Sequence, residues 1–444
     1  MGGTSLVLIG AGSTSFGVST LADIFRLREE FKGSTLALCD VDAARLERMA
    51  TLAKCLNDTS RAGYKIVGAR DYRQLLPGAE FVFVSVEVDR LPRWKLDWQI
   101  PFKYGIQHVL GENGGPGGLS HSLRTIDLVL GIGREVERLA PNATLINFTN
   151  PLARVCLALT RYTGLRVIGM CHQINKGYYT VGHILGRAPQ LAEEFPDAAV
   201  AGEMKKQFEL KTAGLNHMTF ITDMRDVKTG RDLYPEFRAR VEEFDPTFEP
   251  LSRRIYRAFG LYPTSGDGHL GEYFAFASET SNLKGYDFDG REVESRELDA
   301  EVDRANRTGE GLERFLSWES GERGVDVAAA ILNNKNEYEQ TVNVVNHGAI
   351  AGLPDWAVVE TPAVVGGRGA VPLAMGPLPP AITALLNQQI AVQDRTVEAA
   401  VHGDRQAALQ ALLLDPLVTG YSAAEQMLDE LLAVHADSLP AFRR

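Results

Sequence analysis

Cysteine is scarce: Cys39, Cys55, Cys156 and Cys171 are the four in 444 residues, too few and too scattered for a disulfide framework. A reducing compartment would keep Cys171 a free thiol. Basic charge is also in deficit, with 46 Lys and Arg against 57 Asp and Glu and a formal net charge of -11. That balance argues against nucleic acid, whose phosphates need a basic face, and against an anionic membrane surface. Long hydrophobic runs are missing as well. The longest, such as Phe81 to Val86, are strand-sized, and the opening MGGTSLVLIGAG has neither a basic segment nor a signal-length apolar core. The expectation is a cytoplasmic protein.

What is present is the composition of an ordinary globular chain, 45% hydrophobic and 23% charged, long enough for two domains with sizeable cores. The first third alternates apolar β-type runs with helical patterns, the signature of parallel βαβ units. Leu6–Ile9, Thr35–Leu38, Phe81–Val86, Thr144–Asn147 and Val167–Met170 read as buried strands, with helices over Thr20–Arg28 and Ala43–Leu56. Such units close into a doubly wound sheet whose ligands sit beyond the carboxyl ends of the strands.

From about Ala201 the texture becomes an α+β mixture. Strands are expected at Phe208–Ala213, His217–Thr222 and Asp355–Glu360, and helices at Glu236–Phe244, Leu251–Phe259 and Asp326–Leu332. Ser281–Gly309 is charged and weakly periodic, a lid or a long helix. After the turn Gly376-Pro-Leu-Pro-Pro380, two helices with Ala/Leu faces run to about Val434. The fold class expected is α/β: residues 1–200 form a Rossmann-like, doubly wound parallel sheet, and residues 201–444 an α+β domain for substrate, metal and oligomerisation.

Gly10-Ala-Gly-Ser13 follows a strand and opens a helix, a place where backbone and helix-terminal amides can approach a pyrophosphate. The third glycine of that fingerprint is missing, since position 15 is Ser, although Gly17 is close. Asp40 ends the second strand and is placed to accept hydrogen bonds from a ribose hydroxyl, which favours NAD over its phosphorylated form. Its alternative role is a helix cap in Cys39-Asp-Val-Asp42. Gly10, Gly12, Ser13 and Asp40 are therefore the candidate cofactor residues, joined by Asn147 at the end of the fourth strand. A second glycine-rich loop, Gly111-Glu-Asn-Gly-Gly-Pro-Gly-Gly118, precedes a helix expected to begin near His121 and is placed over the nicotinamide half of the cofactor.

Cys171 sits at the mouth of the sheet in Ile168-Gly-Met-Cys-His-Gln-Ile-Asn175, and His217 lies in Gly214-Leu-Asn-His-Met218 at the start of a later strand. Each alone is more often a packing residue. Together, a thiolate and an imidazole with open positions could hold a divalent cation that also takes two substrate oxygens. Softness rules allow zinc or iron as readily as manganese. In Asn147-Phe-Thr-Asn-Pro151 the amide of Asn150 suits recognition of a sugar hydroxyl.

Taken together, LIGAGS, the GPGG loop with Leu123-Arg-Thr125, NFTNP, Cys171-His172, GLNHM and Gly268-His-Leu-Gly-Glu-Tyr273 resemble the family 4 glycoside hydrolases, which depend on NAD and a divalent metal, and most of all their α-galactosidase branch. The resemblance runs from the N-terminus to Asp415-Pro416. It implies NAD and manganese as cofactors, Cys171 and His217 as metal ligands, a tyrosinate base (Tyr273, with Tyr262 the alternative), His172 as proton donor to the leaving oxygen, and Asn150, His217 and His269 against the sugar. It also implies a homodimer or homotetramer, and hydrolysis by C3 oxidation, C2 deprotonation, elimination, water addition and re-reduction. Gln173 stands where the α-galactosidase branch has Ser, the glycine loop reads Gly-Glu-Asn where many members have Asp, and Phe220 replaces a frequent Trp. Neither Cys-Asp nor Cys-Asn follows the strand, which argues against 6-phosphorylated sugars. The substrate expected is an unphosphorylated hexoside, an α-galactoside or a related α-hexoside or hexuronide. The competing reading is a net NAD-dependent oxidoreductase of the lactate and malate dehydrogenase type, with Arg90 or Arg124 holding a substrate carboxylate; a nucleotide-sensing binding protein is a third.

Overall fold

The computed structural model describes residues 3–13, 16–188, 197–280 and 287–443. Six strands, β1 (Ser5–Ile9), β2 (Thr35–Cys39), β3 (Lys65–Ala69), β4 (Phe81–Val84), β5 (Thr144–Asn147) and β6 (Arg166–Gly169), pair in parallel in the order β3-β2-β1-β4-β5-β6. This is the doubly wound dinucleotide-binding topology. The same sheet continues through β7 (Phe208–Leu215), β8 (Met218–Asp226), β9 (Glu337–Val345), β10 (Val358–Gly366) and β11 (Gly369–Pro372), all antiparallel, to make eleven strands.

Alternation along the strands explains the two layers. Leu6, Leu8, Leu36, Phe81 and Ile146 face one way, onto α1 (Phe16–Arg26) and α2 (Ala43–Ser60), while Val7, Ile9, Val82 and Leu145 face the other, onto α4 (Gly115–Leu139) and α5 (Leu152–Tyr162). The remaining α-helices before the direction change are α3 (Arg90–Lys103), α6 (Ile174–Ile184) and α7 (Asp197–Lys205). Helices from the second half complete both layers. Val302 and Ala305 of helix Phe288–Thr308 join the first, and the helices Arg405–Leu414 and Tyr421–Val434 join the second.

Several expectations change. Strand β3 was not anticipated because Lys65–Ala69 is short, glycine-containing and only half-buried, and β9 because its apolar positions are interrupted by the buried polar residues Glu339, Thr341 and Asn343. The last strand expected at Asp355–Glu360 lies further on, at Val358–Gly366. Three helices, not two, follow the Pro-rich turn, since Gly403 in the left-handed region ends Pro380–His402 and Asp404 caps the next. Of the charged segment, Phe288–Thr308 is a helix capped by Asp287, and residues 281–286 lie outside the described residues. No helix among the described residues is long and apolar enough to cross a membrane.

Arg124 is fully embedded. Its guanidinium donates to both carboxylate oxygens of Asp97 at 3.1 and 2.6 Å, and His435 approaches the same carboxylate at 2.8 Å. Arg124, one of the two residues offered as a substrate anchor for the dehydrogenase reading, is thus part of a structural ion pair tying α3 and α4 to the C-terminal helices. Removing one partner strands a buried charge, so Asp97→Ala should lose about 3–5 kcal/mol of stability in urea unfolding. A loss below about 1 kcal/mol would show that the pair is dispensable.

Candidate active site

The first glycine turn lies between β1 and α1, with Gly10 at φ 88°. Gly12 donates its N–H to Asp40 Oδ2 at 2.8 Å, and Asp40 Oδ1 accepts from Asp42 N at 2.9 Å. The cap of α2 is Asp42, whose side chain accepts from Ala44 and Arg45. Asp40 therefore stands at the strand end as a brace for the glycine turn, with its carboxylate beside Gly12. A Cβ on Gly17 would lie 2.0 Å from the Ala11 carbonyl oxygen. Gly17 thus supplies the close helix-to-turn packing of the fingerprint's third glycine, two residues late. Ser13 Oγ accepts from Phe16 N at 3.3 Å, at the start of α1.

The second glycine segment is not a loop throughout: Gly115–Gly118 form the first turn of α4, with Pro116 suited to that position, so the helix starts before His121. Just ahead of it, Glu272 Oε2 accepts three successive backbone N–H groups, from Glu112 at 2.7, Asn113 at 2.6 and Gly114 at 3.1 Å. Its Oε1 accepts from His269 Nδ1 at 2.9 Å. Burial raises the Glu272 pKa, but His269 and these amides outweigh it and hold the carboxyl ionised.

Cys171 and His217, 46 residues apart in sequence, meet: Sγ and Nε2 are 3.5 Å apart. With metal–ligand bonds of about 2.3 and 2.1 Å, a sulfur and a nitrogen sharing one ion lie about 3.1 to 3.6 Å apart, between octahedral and tetrahedral angles. The pair fits a shared cation. His217 Nδ1 is buried without a hydrogen-bond partner, and its ring stacks on His269 with centroids 4.0 Å apart. Burial, with His269 and His172 nearby, holds the His217 pKa far below normal, so it is the neutral imidazole a metal needs. Burial, then the carboxylates of Glu360 and Glu322, pushes the Cys171 thiol up, so a cation must displace its proton to bind. Contrary to expectation, His217 does not open a strand. Leu215 pairs with Met218, so Asn216 and His217 are the two-residue turn between β7 and β8.

His217, His269 and Glu272 also form a cluster of ligand atoms within 4.8 Å of one another. With four donors already on its carboxylate, Glu272 acts in it as a brace. His172 projects from the sheet mouth with its side chain 55% exposed, and its Nδ1 lies 2.5 Å from Glu322 Oε1. Asn150 Nδ2 is 3.4 Å from Glu112 Oε1. Asn147 sits deeper: it is fully buried and both its amide atoms engage the Thr149 backbone, shaping the loop that carries Asn150.

The two tyrosines separate cleanly. Tyr262 belongs to an aromatic core with Phe237 and Tyr256, and its hydroxyl is buried without a partner. Tyr273 follows Glu272, with the buried Arg154 and Asp415 among its charged neighbours. Burial, then Glu272, raises its pKa and Arg154 opposes them.

The doubly wound sheet with its glycine turn defines a dinucleotide-binding class of protein, and the Cys171–His217 pair at bridging distance adds a place for a cation. The family 4 glycosyl hydrolase model matches residues 5–186 and the family 4 glycosyl hydrolase C-terminal domain residues 212–418. An α-glucosidase of Erwinia rhapontici is 32% identical over 97% of both chains, and an α-galactosidase of Bacillus subtilis 30% identical over 99% of both. The crystal structure of a 6-phospho-α-glucosidase from gut microorganisms in complex with NAD and Mn2+ superposes with a TM-score of 0.83 at 26% identity, covering 99% of each chain. The chain belongs to the family 4 glycosyl hydrolases.

Three carboxylates of this site were missed from sequence: Glu272, Glu322 and Glu360. Glu360 carried the clearest signal, an acid inside the apolar strand run Val358-Val-Glu-Thr-Pro-Ala-Val-Val365. Its Oε2 accepts from Asn216 at 2.7 and Asn343 at 3.2 Å, its Oε1 has no partner, and burial raises its pKa to about 7. Because the folded-state value lies above the ordinary one, the metal-free fold is most stable with Glu360 protonated and loses stability as pH rises through about 7. Glu360→Gln should therefore gain on the order of 3 kcal/mol at about pH 8.5 and almost nothing at about pH 4.5, read from urea unfolding of the metal-free protein. An equal gain at both pH values would show that this carboxyl does not titrate.

Proposed function

We propose that this protein hydrolyses an unphosphorylated α-hexoside, a galactoside or glucoside, through transient oxidation at C3 of the sugar. The observation that carries the reading is the Cys171–His217 pair at the carboxyl end of a dinucleotide-binding sheet. When bound, NAD accepts and later returns a hydride at C3, and a divalent cation, manganese in the first place, polarises the ketone and acidifies the C2 proton.

The remaining steps fall to side chains. Gly10, Gly12, Ser13 and Asp40 hold the cofactor, Asp40 through the adenosine ribose. Cys171 and His217 hold the cation. Tyr273 takes the C2 proton; Tyr262, enclosed in its aromatic core, is set aside. His172 protonates the leaving oxygen as C1–O breaks, and a hydrogen bond from its Nδ1 to Glu322 keeps Nε2 as the atom that gives up the proton. Asn150 and His269 bind sugar hydroxyls, His269 being oriented by Glu272.

Charge supports a neutral sugar over a phosphate or a uronate. Arg90, near the second glycine segment, is paired with Glu87 at 3.2 and Glu112 at 3.0 Å, and Lys176 of α6 with Glu249 at 3.0 Å. An anionic substituent would have to compete with those carboxylates. A cytoplasmic homodimer or homotetramer is the proposed working state.

The reading is tested with a panel of nitrophenyl α- and β-hexosides and hexuronides under NAD, Mn2+ and a thiol reductant. Hydrolysis of an α-hexoside should require both NAD and the cation, without bulk NADH accumulating. Cys171→Ser should lose at least about tenfold in Mn2+ affinity and most of its activity while remaining folded, because a hydroxyl is a poor replacement for a thiolate ligand. Full hydrolysis by chelated, cofactor-free enzyme would overturn the mechanism, and near wild-type rates of Cys171→Ser at low Mn2+ would make Cys171 a packing residue.

A further inference from the structure

His217 occupies a position that disfavours it. In a two-residue hairpin turn the residues with positive φ are usually Gly, Asn or Asp, yet His217 has φ 61°. A side chain held there is strained and stays only where its surroundings over-determine it.

Those surroundings are buried polar side chains. Gln173 Oε1 accepts the His217 N–H at 2.6 Å, and Ser265 Oγ donates to the His217 carbonyl oxygen at 2.8 Å. Gln173 is itself pinned by its other end, Nε2 donating to Thr264 Oγ1 at 2.9 Å and to Thr219 Oγ1 at 3.4 Å. Gln173, His217, Thr219, Thr264 and Ser265 are all at most 6% exposed. Gln173 follows Cys171-His172 directly and departs from the α-galactosidase pattern, which makes it look like a reader of the sugar. Its amide is instead turned into the protein, with both ends taken up by the hairpin and its neighbours.

We infer that Gln173 is a positioning residue for the metal centre: it holds the His217 turn in its left-handed conformation, thereby setting cation affinity, and takes no part in choosing the sugar. The inference rests on the reading of Cys171 and His217 as the metal ligands. It links the two ligands physically, since the segment that carries Cys171 also grips the backbone of His217. Losing a partner of a ligand typically weakens metal binding by about 10- to 100-fold.

The test is Mn2+ binding to the full-length protein, read from the electron paramagnetic resonance signal of the free ion. Gln173→Met, of similar length but with no acceptor, should bind Mn2+ about 10- to 100-fold more weakly. Gln173→Glu, which keeps an acceptor for the His217 N–H, should bind it at least as tightly as wild type. At saturating Mn2+ both variants should keep the wild-type ratio of kcat/KM between α-glucoside and α-galactoside. Unchanged Mn2+ affinity in Gln173→Met, or a shifted sugar ratio at saturating Mn2+, overturns the inference. Should Gln173→Met fail to fold, Ser265→Ala removes the other grip on His217 and must weaken Mn2+ binding in its place; full affinity there is equally contrary. Cys171→Ser, measured alongside, separates the two claims. Full affinity in Cys171→Ser refutes the metal centre itself, whereas loss in Cys171→Ser with full affinity in Gln173→Met refutes the brace alone.

Discussion

Cys171 reaches His217 because the parallel half of the sheet does not end at β6. Gly169, the last residue of β6, pairs with Asn343 of β9, and through that contact the antiparallel strands of the second half are set beside the carboxyl ends of the first. The approach is close: a Cβ on Gly169 would lie 2.7 Å from Cys156 Sγ and 2.9 Å from Asn343 Cβ. Two residues past Gly169 comes Cys171, and Glu360 on β10, paired across to Asn343 and Gly214, faces the base of the hairpin that carries His217. A dinucleotide-binding sheet normally offers its ligand a crevice at the switch in strand order. Here the sheet's own continuation walls that crevice with a second set of side chains.

The second set is rich in carboxylates, each held for a different task. Glu272 is ionised and saturated, clasping the backbone ahead of α4 while orienting His269. Glu322 orients His172. Glu360 is deeply buried, accepts from Asn216 and Asn343, and has its pKa raised by burial to about 7. Their partners are two imidazoles, backbone amides and side-chain amides, so each carboxylate holds another group in place.

How much of this was legible in the chain depended on how local the determinant was. The glycine turn, Asp40 and five of the six parallel strands announce themselves within short windows, because apolar periodicity and glycine report on the adjacent backbone. The pairing of Cys171 with His217 was open to inference only from context and resemblance. The partners Glu272, Glu322 and Glu360 reach across 150 residues or so to act, as with His172 and Glu322, and no local pattern records that reach. Strand β9 escaped for a related reason: Asn343 and Glu339 are buried against Glu360 and Arg323 of other elements, so from sequence alone they read as surface. The turn at His217 was misplaced into a strand because a histidine with positive φ contradicts local propensity, and such contradictions gather where tertiary contacts and function override it.

The central claim, elimination through a C3 ketone, is tested most directly by following the hydrogens of the sugar. When the hydrolysis is run in deuterated water, the account predicts deuterium at C2 of the released hexose, because that proton leaves to Tyr273 and is replaced from solvent, while hydrogen at C3 is carried away and handed back and is largely retained. Mass spectrometry and NMR of the product read both positions. Release of aglycone with hydrogen fully retained at C2 would contradict the account and point to direct displacement at C1.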